Sequence, residues 1–163
     1  MKNRPHQILW GVAIGIFIFI GLVIYAANQA RQARFTVDVL EQYLKAYKLV
    51  EHRSIESLRG LPDFYLISPY DSLSLRSADL KQGIKNGYIY DFQYLGDDKF
   101  VISASPVGAL PFRQEFGITD DGVLRMNTQK VDVDADNYEE VEKWPVITRK
   151  ERVRSKDLPD YLR

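Results

Sequence analysis

The chain has 163 residues, enough for one ordinary domain and a short additional segment but too few for two sizeable cores. Lysine and arginine together number 22, as do aspartate and glutamate, so no excess of positive charge draws the chain to nucleic acid. There is no cysteine, which excludes disulfides, thiolate nucleophiles and cysteine-ligated metal sites.

An apolar run without a charged side chain covers residues 8–27, ILWGVAIGIFIFIGLVIYAA. At about 1.5 Å per residue in a helix, this run spans the ~30 Å hydrocarbon core of a bilayer. Trp10 and Tyr25 lie near its ends, where amphipathic rings favour the headgroup level. We predict a single transmembrane helix over residues 8–27 after a basic cytoplasmic start, residues 1–7. A cleaved secretory signal and a buried core helix are the alternatives.

Three glycines interrupt the apolar run. Gly11 and Gly15 have the GxxxG spacing that lets a second helix approach the backbone closely, and Gly21 follows further along. Glycine is also common in spanning helices without any pairing role. Gly11, Gly15 and Gly21 are therefore the candidate helix-packing residues within the membrane.

The charges that flank the apolar run give the predicted orientation. Two basic residues lie on each side of it, and the amino terminus with His6 adds to the first side. Because cytoplasmic flanks carry the excess of positive charge, we predict a cytoplasmic amino terminus. The rest of the chain is then expected on the outer, periplasmic face of a bacterial cytoplasmic membrane.

Beyond residue 28 the pattern becomes that of an amphipathic helix. Apolar residues recur at steps of four, three, four and three, at Ala33, Val37, Leu40, Leu44 and Tyr47. No glycine or proline separates this stripe from the anchor, so the sequence predicts one long helix that ends near residue 59. Residues 62–87 are predicted to form loops with one helical turn at residues 77–81.

A period of two then begins, which is typical of strands. Tyr88, Tyr90, Phe92 and Tyr94 share one face of a predicted strand. Turn residues predict further strands over residues 100–104, 112–119 and 123–126. The predicted fold of residues 28–127 is α+β: a long amino-terminal helix packs on the aromatic face of an antiparallel meander of about four strands.

The last part of the chain, residues 128–163, differs in composition. Acidic residues dominate 128–142 and basic residues dominate 143–163, a pattern typical of a solvated extension. Such charge blocks also dock on partners, and a Trp-Pro pair followed by Val and Ile is a plausible contact point. The candidate partner-contact residues are Trp144, Arg149, Lys150, Arg152 and Arg154.

The sequence offers little for catalysis. His6 and His52 are its only imidazoles, and neither belongs to a metal-ligand pattern. Asp132, Asp134 and Asp136 alternate as in a calcium loop, but the glycine and closing glutamate of such a loop are missing. No phosphate-binding or nucleophile motif occurs. We predict no enzyme activity, cofactor or metal; the expected partners are the lipid bilayer and other membrane proteins, not nucleic acid.

The order of the predicted elements and several short sequence stretches in the predicted sheet resemble those of the bacterial type IV pilins and pseudopilins. The similar stretches are IKNGYIY at residues 84–90, VISASP at 101–106 and FGITDDGVLR at 116–125. The likeness covers about residues 8–127. It implies a pilin-like fold and a structural or assembly role in a type IV pilus or secretion system.

The chain departs from that family in its amino-terminal segment. Prepilins carry a glycine followed by an apolar segment with glutamate at its fifth position, whereas Gly11 precedes Val-Ala-Ile-Gly-Ile and no acid occurs before Asp38. The usual cleavage motif and its glutamate are thus lacking, so we expect a permanent anchor. The alternatives to a pilus or secretion role are an accessory scaffold subunit of a respiratory or photosynthetic membrane complex, and a membrane-anchored ligand sensor.

Overall fold

A computed structural model describes residues 4–67, 73–108, 114–127 and 138–149; for residues 4–11, 148 and 149 the description covers the backbone alone. One helix, α1, runs from Arg4 to Glu51 without a break. Its 48 residues correspond to about 72 Å at 1.5 Å per residue. The prediction that the apolar run continues directly into the amphipathic helix is confirmed.

The predicted end of this helix was too late in the chain. The helix ends at Glu51 rather than near residue 59, because His52 adopts a left-handed backbone conformation with φ of 53°. The chain then turns back toward the sheet and buries Ile55 and Leu61 in the core. A 3-10 helix at Leu58–Gly60 is all that remains of the predicted last turns.

Short elements connect α1 to the main sheet. Strands β1 (Tyr65–Ile67) and β2 (Ser74–Arg76) form a separate antiparallel pair. The predicted helical turn is confirmed as α2, Ser77–Lys81. The two strands were expected to be loops, since three-residue strands are too short to show a clear period of two.

The main sheet has six strands in the described part of the chain, whereas the sequence predicted about four. All neighbours are antiparallel and follow the order of the chain, β3-β4-β5-β6-β7-β8. The additional strands are the two at the edges. The strands are β3 (Ile84–Lys85), β4 (Tyr88–Gly96), β5 (Lys99–Pro106), β6 (Glu115–Thr119), β7 (Val123–Asn127) and β8 (Val146–Arg149).

The carboxyl-terminal half of α1 packs on one face of this sheet. Ala33, Val37 and Leu40 are completely buried in a core that also contains Tyr88, Tyr90 and Phe92 of β4. The prediction that the aromatic face of the first long strand covers the helix stripe is therefore confirmed. Apolar burial of this kind contributes about 25 cal/mol per Å², so this layer is the main source of the domain's stability.

A short helix, α3 (Tyr138–Lys143), covers the other face of the sheet. Val141 and Trp144 pack with Val101 in a second apolar cluster, and the Tyr138 hydroxyl donates to Asp120 Oδ1 at 2.6 Å. Burial and the neighbouring Asp120 carboxylate raise the pKa of Tyr138. Residues 138–149 were predicted to be a solvated extension, but they complete the domain with a helix and an edge strand.

Gly117 lets α3 lie directly on the sheet. A methyl group at this position would lie 2.6 Å from Val141 Cγ1 and 3.0 Å from Trp144 Cζ3. We expect Gly117→Ala to lower the free energy of unfolding by about 1–3 kcal/mol, the usual cost of overpacking. Thermal unfolding in detergent measures the change. Gly15→Ala is the matched control because its methyl group meets nothing within 4 Å, and equal melting temperatures for the two variants would contradict this packing.

Candidate functional site

The amino-terminal half of α1 extends beyond the domain and is apolar. Its large side chains are mostly exposed; Phe17, for example, is 74% exposed. Within the described residues this is the one helix long and apolar enough to cross a membrane, and almost none of its apolar stretch is buried. A core helix of a soluble domain would be mostly buried. The chain thus has one long apolar amino-terminal helix that is compatible with a membrane span.

Two of the predicted helix-packing glycines lie on open surface of α1. A methyl group added at Gly15 or Gly21 would meet no other atom of the chain within 4 Å. Gly15 precedes Ala33 by 18 residues, which is five helical turns, so it lies on the same side of α1 as the core stripe. A neighbouring helix that contacted Gly15 would therefore lie on the side of α1 that the sheet covers further along the helix. Gly11 belongs to α1, but its surroundings lie outside the described side chains.

The structure does not bring the other predicted site residues together. Tyr25 is exposed on α1, and Trp10 belongs to the helical residues described by backbone alone. Trp144, predicted to contact a partner, is 5% exposed and packs inside the domain because α3 covers the sheet. Arg149 ends β8, with its side chain undescribed. The remaining basic candidates, Lys150, Arg152 and Arg154, lie outside the described residues.

An open groove of about 390 Å³ separates α1 from one end of the main sheet. It begins within the predicted span, at Val23, and continues up to the domain. Its polar lining consists of Arg31, Arg34 and Gln114. Its apolar lining consists of Val23, Ala26, Ala27 and Ala30 of α1 and of Phe116, Met126 and Ile147 of the sheet.

The groove has an apolar lower part and a basic upper part. Val23 and Ala27 belong to the predicted span, while Arg31 and Arg34 follow four and seven residues after its end. At 1.5 Å per residue these arginines lie about 6 Å and 10 Å along the helix beyond Ala27. The groove is therefore amphipathic along the axis of α1, with its apolar part toward the amino terminus of the helix.

A second groove, of about 320 Å³, is polar and lies near β2 and β3. Its charged groups are largely engaged with one another. Lys85 Nζ lies 3.1 Å from Asp79 Oδ2 and donates to the Ser74 carbonyl at 2.8 Å, and the Arg76 guanidinium lies over the Tyr65 ring. The side chains of this surface thus neutralise one another and give little reason to expect a charged ligand.

A cluster of hydrogen bonds around Asp121 stabilises the turn between β6 and β7. Asp121 accepts hydrogen bonds from both terminal nitrogens of Arg125, at 3.2 Å and 2.6 Å, from the Thr119 hydroxyl and from the Val123 amide. Burial alone would raise the pKa of Asp121, but these donors outweigh it and the pKa is lowered. Because the groups that bind Asp121 belong to the turn itself or to the two strands it joins, the cluster stabilises the turn. Its carboxylate is fully engaged and is not a free nucleophile or base.

This cluster predicts a pH dependence of stability. A carboxyl group whose pKa is lowered in the folded state stabilises the fold above its unfolded value of 3.8 and loses that contribution as the pH falls through its lower folded value. We expect Asp121→Asn to cost about 1–3 kcal/mol at neutral pH, because buried Arg125 loses a charged partner. Urea unfolding from pH 7 to pH 2 measures this, and the difference between variant and parent should shrink below pH ~4. A difference independent of pH would contradict the assignment.

The described residues contain no group of three or more histidine, aspartate or glutamate side chains arranged to hold a metal ion. His52 is exposed at the end of α1, and His6 and the three alternating aspartates of the tail lie outside the described side chains. The amphipathic groove was missed by sequence reasoning. Its α1 residues do follow helical spacing, but the sheet residues that form its opposite wall come from three separate strands.

Comparison of the chain with protein-family models, with curated proteins and with solved structures found no match. The functional interpretation therefore depends on the chain's own geometry.

Proposed function

We propose that this chain is a non-enzymatic, single-pass membrane protein with a structural or assembly role. Its pilin-like domain would contact other proteins on the outer face of a bacterial cytoplasmic membrane, with the amino terminus in the cytoplasm. The observation that carries the proposal is the continuity of α1. One uninterrupted helix has an exposed apolar half and a second half that forms the core of the domain.

This continuity has a mechanical consequence. The helix α1 buries Val37 and Leu40 in the domain core. Some twenty residues earlier the same helix exposes Phe17 and Ile18. A domain built around its own anchor cannot move away from the bilayer as it would on a flexible linker. Such a geometry suits a protein that must hold a fixed position beside its neighbours.

The non-enzymatic part of the proposal is supported by the engagement of the polar groups. The buried carboxylate of Glu41 pairs with Lys45 at 2.5 Å, and Asp121 pairs with Arg125 at 2.6 Å. Both pairs flank the turn between β6 and β7, where a methyl group at Gly122 would lie 3.3 Å from Lys45 Nζ, and none of these four side chains lines either groove.

The test is to sequence the amino terminus of protein extracted from the membrane fraction. We expect the extracted chain to retain residues 8–27. A mature chain that begins near Gln29 would mean a cleaved signal and a secreted domain, and the anchor proposal would be wrong. Washing the membranes at alkaline pH before extraction removes peripheral proteins and serves as the control.

A second candidate function is that of an accessory scaffold subunit in a larger membrane complex, such as a respiratory or photosynthetic one. The open surface at Gly15 and Gly21 favours it, because it offers a helix-packing surface without the processing site of a pilin. Native purification separates the two functions. A stable partner in fixed stoichiometry would support the subunit, and loss of pili or secretion on deletion would support the assembly role.

A further inference from the structure

The long strands of the main sheet run along α1, so each end of the sheet lies at a definite level on the helix. At one end, a methyl group on Gly87 would lie 2.8 Å from Gln29 Nε2. At the other end, Asp98 in the turn between β4 and β5 pairs with Lys48. From Gln29 to Lys48 the helix rises by about 28 Å, and the nine residues of β4 span about 30 Å. Strand and helix are thus nearly parallel.

The end of the sheet next to Gln29 is here called the lower rim. Val107 belongs to it because its amide donates to the Gly87 carbonyl at 2.7 Å. Gln114 belongs to it because its carbonyl accepts from the Tyr88 hydroxyl at 3.1 Å. The described residues of the lower rim, all just beyond strand ends, are Asn86, Gly87, Val107, Gly108 and Gln114.

The level of the lower rim on α1 gives its depth in the bilayer. Gln29 lies two residues beyond Ala27, the last residue of the predicted span, and therefore about 3 Å further along the helix. The polar headgroup layer of one leaflet is about 5–7 Å thick. Because α1 is unbroken and its second half is packed in the core, the domain cannot rise away from this level. The anchor proposal therefore places the lower rim inside the headgroup layer.

The side chains at the two ends of the sheet differ in a way that suits this placement. None of the described residues of the lower rim is charged, and Val107 is 43% exposed. The turns at the opposite end contain Asp97, Asp98, Asp120 and Asp121. Carboxylates are costly to desolvate and are repelled by lipid phosphates. These acids lie at the end of the sheet that faces away from the span.

A second exposed apolar side chain lies near the same level. Ile67 ends β1 and is 63% exposed. It pairs with Ser74, which lines the polar groove together with Gln32 and Asn86. Ile67 and Val107 thus offer apolar surface at the end of the domain nearest the span, from two different sheets.

From this arrangement we infer that the lower rim contacts the lipid headgroup layer of the leaflet that faces the domain. Val107 lies near the boundary between headgroups and acyl chains. The partner is the lipid surface itself and not one particular headgroup, because the side chains of the lower rim carry no charge. The contact gives the domain a second attachment to the bilayer beside its anchor and limits the tilt of α1. This inference rests on the proposed membrane anchor.

A second copy of the chain is the competing occupant. Copies anchored in the same membrane with the same orientation are related by an axis along the membrane normal. Their lower rims then lie at the same depth and both face the bilayer, so neither can cover the other. Depth and continuity with the span therefore favour lipid.

The experiment measures the depth of single labelled positions. Because the chain has no cysteine, Val107→Cys and Gln114→Cys each provide one site for a fluorophore. The full labelled chain is reconstituted in phosphatidylcholine nanodiscs, in which part of the lipid carries a nitroxide quencher on its headgroup. We expect the quencher to remove most of the fluorescence at both positions, since nitroxide quenching requires close approach.

Leu49→Cys is the matched control for these labels. Leu49 is apolar and 58% exposed, but it lies about 33 Å along α1 beyond Ala27, so its label should keep its fluorescence. Equal quenching at Val107 and Leu49 would overturn the inference. Quenching at Val107 that disappears in discs loaded with two copies would also overturn it, since a second copy would then cover the lower rim. Thermal unfolding like that of the parent chain shows that each labelled variant is folded.

A label within the predicted span distinguishes failure of this inference from failure of the anchor proposal. Phe17→Cys carries the same fluorophore and is reconstituted with lipid that bears the nitroxide on its acyl chain. If the label at Phe17 is not quenched, the anchor proposal fails. If it is quenched while the labels at Val107 and Gln114 are not quenched by the headgroup nitroxide, the inference about the lower rim alone is wrong.

Discussion

Replacing both Phe17 and Ile18 by Lys is expected to remove the protein from the membrane fraction. The two residues lie at the centre of the predicted span and are 74% and 59% exposed. A lysine at the centre of a spanning helix costs about 2.5–3.5 kcal/mol on insertion scales, so the pair opposes insertion strongly. Membrane flotation of the expressed protein measures the distribution between fractions.

The matched control uses two exposed apolar residues at the other end of the same helix. Leu49 and Val50 are 58% and 49% exposed but lie beside the sheet domain. Leu49→Lys with Val50→Lys should leave the protein in the membrane, because those positions face water in the proposed orientation. If both double variants remained in the membrane fraction equally well, residues 8–27 would not be the membrane anchor.

Replacing Leu40 by Ala is expected to destabilise the domain by about 2–5 kcal/mol. Leu40 is completely buried where α1 meets the inner face of the main sheet. The substitution removes apolar contact area and leaves a cavity that the long helix and the sheet cannot easily close. Urea unfolding of the detergent-solubilised protein, followed by circular dichroism, gives the free energy of unfolding.

Leu49→Ala is the control for this measurement, since it makes the same chemical change on the same helix at an exposed position. We expect a change below about 0.5 kcal/mol there, as for most surface substitutions. A small effect at Leu40 would mean that α1 is not part of the domain core. The geometric basis for a fixed anchor would then be lost.

Much of α1 could be predicted because the hydrophobic pattern of a helix involves residues that are close together in the sequence. The stripe from Ala33 to Leu44 and the alternation from Tyr88 to Tyr94 each depend on a repeat set by backbone geometry, and both are found as predicted. The end of α1 could not be predicted in the same way. His52 ends the helix because the chain must turn to bury Ile55, and that requirement depends on a core formed by distant strands.

The carboxyl-terminal segment shows how composition alone can mislead. Its charge blocks indicated a solvated extension, yet Val141 and Trp144 provide enough apolar surface to hold α3 on the sheet. Gly117, on a strand more than twenty residues earlier, leaves the space for that contact. A contact between a small residue and an aromatic ring far away in the sequence produces no repeating hydrophobic pattern. It could therefore not be predicted from a single sequence.

The sequence by itself determined that the chain has one long apolar helix followed by an α+β domain, because hydrophobic periodicity reports which side of each element avoids water. The tertiary structure alone decided the six strands of the main sheet in its described part, the burial of Trp144 and the amphipathic groove beside Arg31 and Arg34. Those features arise where elements distant in sequence meet, and the space between two packed surfaces depends on both of them.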